Sequence, residues 1–276
     1  MSLTIAIVLH EGRQQLLDVS DTALLDAEIL LAKALNVSRS FLFTFPERVL
    51  TLAEKNIFEN FIEQRKQAIP IAYIIGRKEF WSLDLIVTRD TLIPRPETEL
   101  LVERVLQEEG IEKIIADLGT GSGAIAVSIA HERPFWKVHA TDLSVKALDV
   151  AKLNAAQLNV TNVIFHQGNW IEALPSSIKF DVIVSNPPYI AADAPDLENL
   201  KFEPKSALVA KNNGLHDISC IIRAAKPHLK PGGKLMLEHG CEQASEIRRI
   251  FENLGYSDRN TYQDLAGLDR MTVGVA

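Results

Sequence analysis

The chain has 276 residues, 47% apolar and 24% charged, proportions of an ordinary folded protein that argue against overall disorder. Its 29 basic and 36 acidic side chains leave a net charge of −7, which argues against a large non-specific nucleic-acid surface. The two cysteines, Cys220 and Cys241, show neither CxxC nor zinc-ligand spacing, so no disulfide scaffold and no metal are expected, and a reducing, cytoplasmic setting fits.

Residues 1–76 read as a small helical domain for docking or packing. Its N-terminus has no basic flank and no small-residue cleavage site, so no signal peptide is expected, and no run approaches a membrane span. Leu24, Ala27, Leu31, Ala34 and Leu35 recur at helical spacing before a stop at Asn36. Thr51 and Glu54 have the spacing of a capping box, opening a helix with Ile57, Phe58, Phe61 and Ile62 on one face. Residues 77–95 change period: Trp81, Leu83, Leu85 and Val87 alternate with Ser82, Asp84 and Ile86, which predicts a β-hairpin linker with its turn at Arg89-Asp90. Pro96, with Glu97 and Glu99 behind it, suits the first turn of a helix.

Residues 96–276 alternate between strand and helix. Strands are expected over 114–117, 137–142, 163–166, 180–185, 234–240 and 271–275, the last pairing back. Helices are expected over 123–130, 144–158, 214–229 and 245–255. This is the pattern of an α/β protein whose mostly parallel sheet is covered on both faces.

Two segments carry chemistry. Asp117-Leu118-Gly119-Thr120-Gly121-Ser122-Gly123 lies between the first of these strands and its helix. Alternate glycines permit a tight turn and remove side chains between loop and ligand, with helix-start amides expected to face the crevice. Asp142, ending the next strand, can accept from both hydroxyls of a ribose. Together with Ala124, the same loop satisfies the relaxed G-x-G-x-x-A pattern, so nicotinamide or flavin binding is a competing reading. Asp117 weighs against it, since a carboxylate suits a ligand ammonium better than a pyrophosphate.

The second segment is Asn186-Pro187-Pro188-Tyr189, after the strand over 180–185. Two prolines make a rigid turn whose carbonyls have no competing N–H. The Asn186 side-chain oxygen and a proline carbonyl are then two acceptors suited to a planar –NH2, with Tyr189 lying against the flat group that carries it. Accepting both N–H bonds raises electron density on a conjugated nitrogen and favours its attack on an electrophile, a stabilisation by preorganised dipoles. Beside a nucleoside-binding loop, the fitting electrophile is the sulfonium methyl of S-adenosylmethionine, which leaves S-adenosylhomocysteine.

These segments resemble the class I S-adenosylmethionine-dependent methyltransferases, and the fuller match is to the glutamine-N5 methyltransferases of peptide-chain release factors (HemK/PrmC type). The resemblance is carried by LIPRPETE (92–99), DLGTGSGAIA (117–126), ATDLS (140–144), GNW (168–170), NPPY (186–189), FEP (202–204) and LEHG (237–240). It implies a seven-stranded, mostly parallel Rossmann-like sheet with a reversed last strand. It implies methylation of the glutamine in the Gly-Gly-Gln motif of class 1 release factors; a monomer is expected, with no membrane and no direct nucleic-acid partner.

By motif matching, Asp117, Gly119, Thr120, Gly121, Ser122 and Gly123 border the cofactor, Asp142 holds the ribose, and Trp170 and Asn169 meet the adenine. Asn186 and Pro187 accept from the glutamine amide, and Pro188 and Tyr189 complete the substrate turn. The family often has Asp where this chain has Asn169. Adenine-N6 methylation of DNA or RNA is the alternative, because that amine has the same geometry; a non-catalytic cofactor-binding module is a further one. Arg95, Glu97 and Glu99 are candidates for the substrate mouth or simply a charged helical turn, and His239 is expected to be a packed histidine.

Overall fold

The computed structural model describes residues 3–276, apart from the side chain of Asp196. The chain forms two compact units, Met1–Arg77 and Lys78–Ala276.

The first unit is helical: α1 (Ile5–Leu16), α2 (Ala23–Leu35), α3 (Arg39–Thr44), α4 (Leu52–Lys66) and α5 (Ile71–Ile75). Its core gathers Ile5, Val8 and Leu16 with Ala27, Leu30 and Leu31 and with Phe58 and Ile62, the apolar stripes of α1, α2 and α4. Asn36 ends α2 in the left-handed conformation, and its amide satisfies the carbonyls of Ala32 and Lys33. The capping box forms as the spacing predicts: the Glu54 amide donates to Thr51 Oγ1 at 3.2 Å, and the Thr51 amide to Glu54 Oε2 at 2.8 Å. Asp26 is buried in this core and is neutralised by Arg65 at 2.7 Å.

A hairpin of β1 (Arg77–Phe80) and β2 (Leu83–Ile86) follows. Its turn is Trp81-Ser82, not Arg89-Asp90; both turn residues have positive φ (52° and 57°), as a two-residue turn matched to strand twist requires. Neither is Gly or Asn, so the usual signal is absent. Tertiary bonds hold the turn instead: the Trp81 amide donates to Glu99 Oε1 at 2.8 Å, and its indole N–H to Glu132 Oε1 at 3.1 Å. Phe80, Leu83 and Leu85 are buried in the core of the second unit.

The elements after the hairpin are α6 (Glu99–Leu106), β3 (Ile114–Leu118), α7 (Ala124–Glu132), β4 (Lys137–Asp142), α8 (Val145–Gln157), β5 (Val163–Gln167), β6 (Phe180–Ser185), α9 (His216–Ala225), β7 (Leu229–Glu238), α10 (Ala244–Asn253), β8 (Ser257–Gln263) and β9 (Asp269–Val275). The seven strands from β3 onward lie in the order β5-β4-β3-β6-β7-β9-β8. Strands β3 to β7 pair in parallel, while β9 runs antiparallel to β7 and β8. Ile115, Val138, Val182, Val184 and Met236 pack on one face with α6 and α7. Ala116, Leu118, Ile183, Leu235 and Leu237 pack on the other with Ile218, Ile222, Ile247 and Phe251 of α9 and α10. Burial on both faces explains the continuous apolar runs of these strands.

Two elements differ from the sequence expectation. Lys230-Pro231-Gly232-Gly233 does not precede β7 but lies inside it, at a register shift where β6 pairs first with Leu229 and then with Lys234. The bulge absorbs the proline, which cannot donate to a ladder. Strand β8, Ser-Asp-Arg-Asn-Thr-Tyr-Gln, has no apolar alternation and was not expected; it is an edge strand held by β9 and α10.

His139 of β4 is buried, with Nδ1 3.0 Å from Nε2 of His166 and Nε2 without a partner. Burial, with the charges of His166 and Lys137 adding, pushes it down from 6.5 to about 4. A histidine lowered on folding stabilises the native state fully above its unfolded value, and that contribution is lost as pH falls through the window from 6.5 to about 4. Thermal melts of His139→Phe should therefore lose less Tm than wild type across this window. Parallel curves would rule out His139 as an acid-labile group.

Candidate active site

Strands β3, β4, β5 and β6 end on one side of the sheet, and the chain beyond each contributes to one cavity of about 530 Å³. Strand β3 lies between β4 and β6, so connections leave it in opposite directions, which opens a crevice beyond the strand ends. The volume is in the range of small-molecule sites. Gly119 and Gly121 line it after β3, Asp142 at the end of β4 with Leu143 after it, Gly168, Asn169 and Trp170 after β5, and Asn186 and Pro188 after β6.

The glycine turn closes onto the end of β4. The amides of Gly119 and Thr120 both donate to the Thr141 carbonyl, at 2.9 and 2.8 Å, that of Gly123 to the Thr120 carbonyl at 2.8 Å, and that of Gly121 to Asp142 Oδ2 at 2.9 Å. These four amides do not face the crevice as the motif suggests, so they offer no cradle for a pyrophosphate, and the dinucleotide reading loses its main physical support. Gly119 and Gly121 have φ of +75° and +57°, which side chains disfavour. A Cβ on Gly119 would lie 2.7 Å from Trp170 Cζ3, whereas one on Gly121 would meet nothing within 4 Å.

Asp117 is fully buried and does not line the cavity. Its Oδ2 accepts from the Thr120 hydroxyl at 2.6 Å and the Ala126 amide at 3.2 Å, while Oδ1 has no partner. Burial pushes this carboxyl up to about 7, opposed by those two bonds, and the Asp142 charge raises it further. In this structure it fastens the loop to α7. Thr120 and Ser122 are buried as well, and Gly123 caps α7 without reaching the cavity. Asn154 of α8, which the sequence did not single out, ties the hairpin to this loop: its amide donates to the carbonyls of Ile86 (3.0 Å) and Ser122 (2.8 Å), and its oxygen accepts from the Ile86 amide (2.7 Å).

Asp142 reaches the cavity with Oδ1 accepting from the Ser144 amide at 2.8 Å and Oδ2 from Gly121. Burial raises its pKa, opposed by the amides of Ser144, Gly121 and Leu143. A carboxylate oxygen has more than one acceptor site, so both remain able to take a ligand hydroxyl. Trp170 packs partly on the hydrophobic layer beneath and partly lines the cavity, in a turn with φ of +44°. Asn169 is exposed at the rim, and its amide donates to Glu172 Oε2 at 3.4 Å.

Beyond β6, Asn186 Nδ2 donates to Thr98 Oγ1 at 3.1 Å. Its Oδ1 accepts no hydrogen bond among the described residues, and the side chain borders the cavity. Pro188 borders the cavity, whereas Pro187 is buried and Tyr189 lies behind the wall. Tyr189 does not present its ring to the cavity. Its hydroxyl donates to Glu238 Oε1 at 3.2 Å, and burial raises its pKa. The Tyr189 carbonyl accepts from Gln243 Nε2 at 3.0 Å, and Ile190 bridges to Val209, so the elbow is braced on its far side.

Arg95, Glu97 and Glu99 do not line the cavity. Arg95 pairs with buried Glu203, whose Oε2 also accepts from the Ile93 amide at 3.0 Å, and Glu99 holds the hairpin turn. His239 is fully buried, with Nε2 2.8 Å from Thr272 Oγ1, a packed histidine. Pro204, Ser206, Ala207 and Asp217 also reach the cavity, and burial raises Asp217. Pro204 closes the FEP motif, whereas no local pattern marks Ser206, Ala207 or Asp217, which arrive through the long return from β6 and the first turn of α9. Among the described residues, no cluster of His, Cys, Asp or Glu could hold a metal ion, and no helix is long and apolar enough to cross a membrane.

Residues 8–76 match the PrmC N-terminal domain family, and residues 109–267 match a methyltransferase domain family. A release factor glutamine methyltransferase of Coxiella burnetii is 49% identical over 262 residues, covering 94% of each chain. That of Aliivibrio fischeri is 46% identical over 278 residues, covering 99% of this chain and 98% of its own. Among solved structures, a methyltransferase of Pyrococcus furiosus aligns with a TM-score of 0.55 at 22% identity, over 79% of this chain and 96% of its own, a likeness of fold.

Proposed function

The chain belongs to the release factor glutamine methyltransferases, and we propose that it transfers a methyl group from S-adenosylmethionine to the side-chain amide N5 of the Gly-Gly-Gln glutamine in class 1 peptide-chain release factors. The observation that carries this reading is the orientation of Asn186: its amide N–H is bound to Thr98, which leaves Oδ1 as an open acceptor at the cavity wall.

The cavity suits such a cofactor. Gly121 leaves the loop open, Asp142 retains acceptor capacity for two ribose hydroxyls, and Trp170 offers a flat face for the adenine. Bound there, the cofactor would supply an electrophilic methyl group. The chain's own residues hold the nucleophile: Asn186 Oδ1 accepts one amide hydrogen of the glutamine, and the Pro187 carbonyl, at the peptide link to the cavity-lining Pro188, accepts the other although the Pro187 ring packs behind the wall; the two prolines keep these acceptors from relaxing away. The glutamine nitrogen needs no base before attack, because its proton becomes acidic only after methylation. Asp117 serves by holding the glycine turn to α7. The adenine-N6 reading requires the same acceptors, but the acidic net charge and the family membership favour the glutamine amide. On this reading the enzyme acts in the cytoplasm as a monomer.

Incubation of a class 1 release factor with this protein and S-adenosylmethionine, followed by peptide mass spectrometry, should show one added methyl on the Gly-Gly-Gln glutamine. An unmodified glutamine under turnover conditions, or methyl on adenine of added DNA instead, would overturn the reading.

A further inference from the structure

We infer that Arg89 receives the α-carboxylate of S-adenosylmethionine, the one anionic group of that molecule; the inference rests on the cofactor assigned above. Among the described side chains that line the cavity, Arg89 alone is cationic, and it stands with Asp90, Asp142 and Asp217. Asp90 is paired with Lys146 at 3.3 Å. Arg89 has no ion pair and no hydrogen bond among the described residues; its guanidinium lies 5.8 Å from the centre of the Phe202 ring. An arginine stays charged at any working pH, and its planar fork of N–H donors matches a carboxylate through two parallel bonds. Exposed arginines are often unpaired, so the role of this one follows from its place.

The strand order sets which end of the cofactor Arg89 meets. The strand ends run β5-β4-β3-β6 across the site. With adenine at Asn169 and Trp170 beyond β5, and the ribose at Asp142 ending β4, the ligand advances toward β3 and β6. Its methionine part then lies over the glycine turn after β3, where a Cβ on Gly121 would meet nothing within 4 Å. The exit of the hairpin is fastened to this same turn, because the Asn154 amide holds the carbonyls of Ile86 and Ser122 together. Three residues after Ile86, Arg89 turns to Phe202 on the return from β6, while Asp90 turns the other way to α8. The Ile93 amide, donating to Glu203 at 3.0 Å, ties the segment to that return. Residues 89–92 thus form a strap along the cavity, fastened before and after, with the guanidinium on the side of the methionine part. A carboxylate brought in beside Asp142 and Asp217 is repelled unless a cation meets it, and Arg89 supplies that countercharge.

Decarboxylated S-adenosylmethionine keeps the adenosine, the sulfonium and the amine, and lacks only the carboxylate. Calorimetry gives Kd for both compounds, and competition against S-adenosylhomocysteine extends the measurement to weak binding. Arg89→Gln should weaken S-adenosylmethionine ~5–10-fold, between the scale of an exposed ion pair and that of a hydrogen bond to a charged group. Its Kd for the decarboxylated compound should stay within about twofold of wild type, as should kcat at saturating cofactor and KM for the release factor. An arginine that merely supported the strap would shift both ligands alike. Thermal melts identify folded variants, and Arg89→Met takes the place of Arg89→Gln should the latter not fold.

Equal shifts for the two compounds would overturn the proposal, as would an unchanged Kd for S-adenosylmethionine. A raised KM for the release factor with both Kd values unchanged would overturn it too, and would give Arg89 to the protein substrate. Wild-type protein that binds neither compound would show that the cofactor assignment itself fails first.

Discussion

Asn186→Ala is expected to lower kcat for release-factor methylation by at least ~10²-fold, the scale of removing one preorganised polar contact from a reacting centre. The amide nitrogen of glutamine is unreactive because its lone pair is shared with the carbonyl, and reaction requires that sharing to be broken. An acceptor fixed in place favours the state in which the nitrogen has gained charge and begun to pyramidalise. Asn186 is so fixed, since Thr98 holds its nitrogen and the prolines behind it prevent the backbone from yielding. The effect belongs to the transition state, so kcat should drop while Kd for S-adenosylmethionine shifts far less. Single-turnover methylation with saturating cofactor, beside calorimetric binding, measures both. Equal losses in rate and affinity would show that the residue supports cofactor binding and not the chemical step.

Asp142→Ala should show the opposite split. Hydrogen bonds to a charged group contribute about 1.5–3 kcal/mol each, so removing acceptors for two ribose hydroxyls should weaken S-adenosylmethionine binding by ~10²–10⁴-fold. The same carboxylate accepts from Gly121 and Ser144, so its loss also releases the glycine turn and the chain entering α8. Tm should fall by a few degrees as a consequence, roughly what a lost cap of about 1 kcal/mol produces. At saturating cofactor, kcat should stay closer to wild type than in Asn186→Ala. Unchanged affinity for S-adenosylmethionine would remove Asp142 from the binding site.

The strands that were legible are those buried on both faces. Ile115, Val182, Ile183 and Val184 sit in continuous apolar runs because a sheet covered by helices on each side admits little else. Strand β8 was not legible for the complementary reason: an edge position leaves its Asp258, Asn260 and Gln263 free to be polar. The hairpin turn at Trp81-Ser82 was misplaced because its left-handed backbone is held by Glu99, 18 residues along, and not by a local turn residue. The site divides similarly. Gly119, Gly121, Asp142, Asn169, Trp170, Asn186 and Pro188 come together around one cavity, each at or just beyond a strand end. Asp117, Thr120, Ser122, Gly123, Pro187 and Tyr189 belong to the same motifs yet sit behind the cavity wall.

Motif spacing in the chain determined the class of chemistry, because a glycine turn after one strand and Asn-Pro-Pro-Tyr after another are local arrangements whose properties need no distant partner. Only the tertiary structure decided the direction of each polar group. The glycine-loop amides turn inward because Thr141 and Asp142 stand at the end of the adjacent strand. Asn186 presents oxygen to the cavity because Thr98, 88 residues earlier, meets its nitrogen, and Tyr189 turns to Glu238, 49 residues later. Hydrogen-bond direction depends on which donors and acceptors meet in space, and those pairings are created by folding.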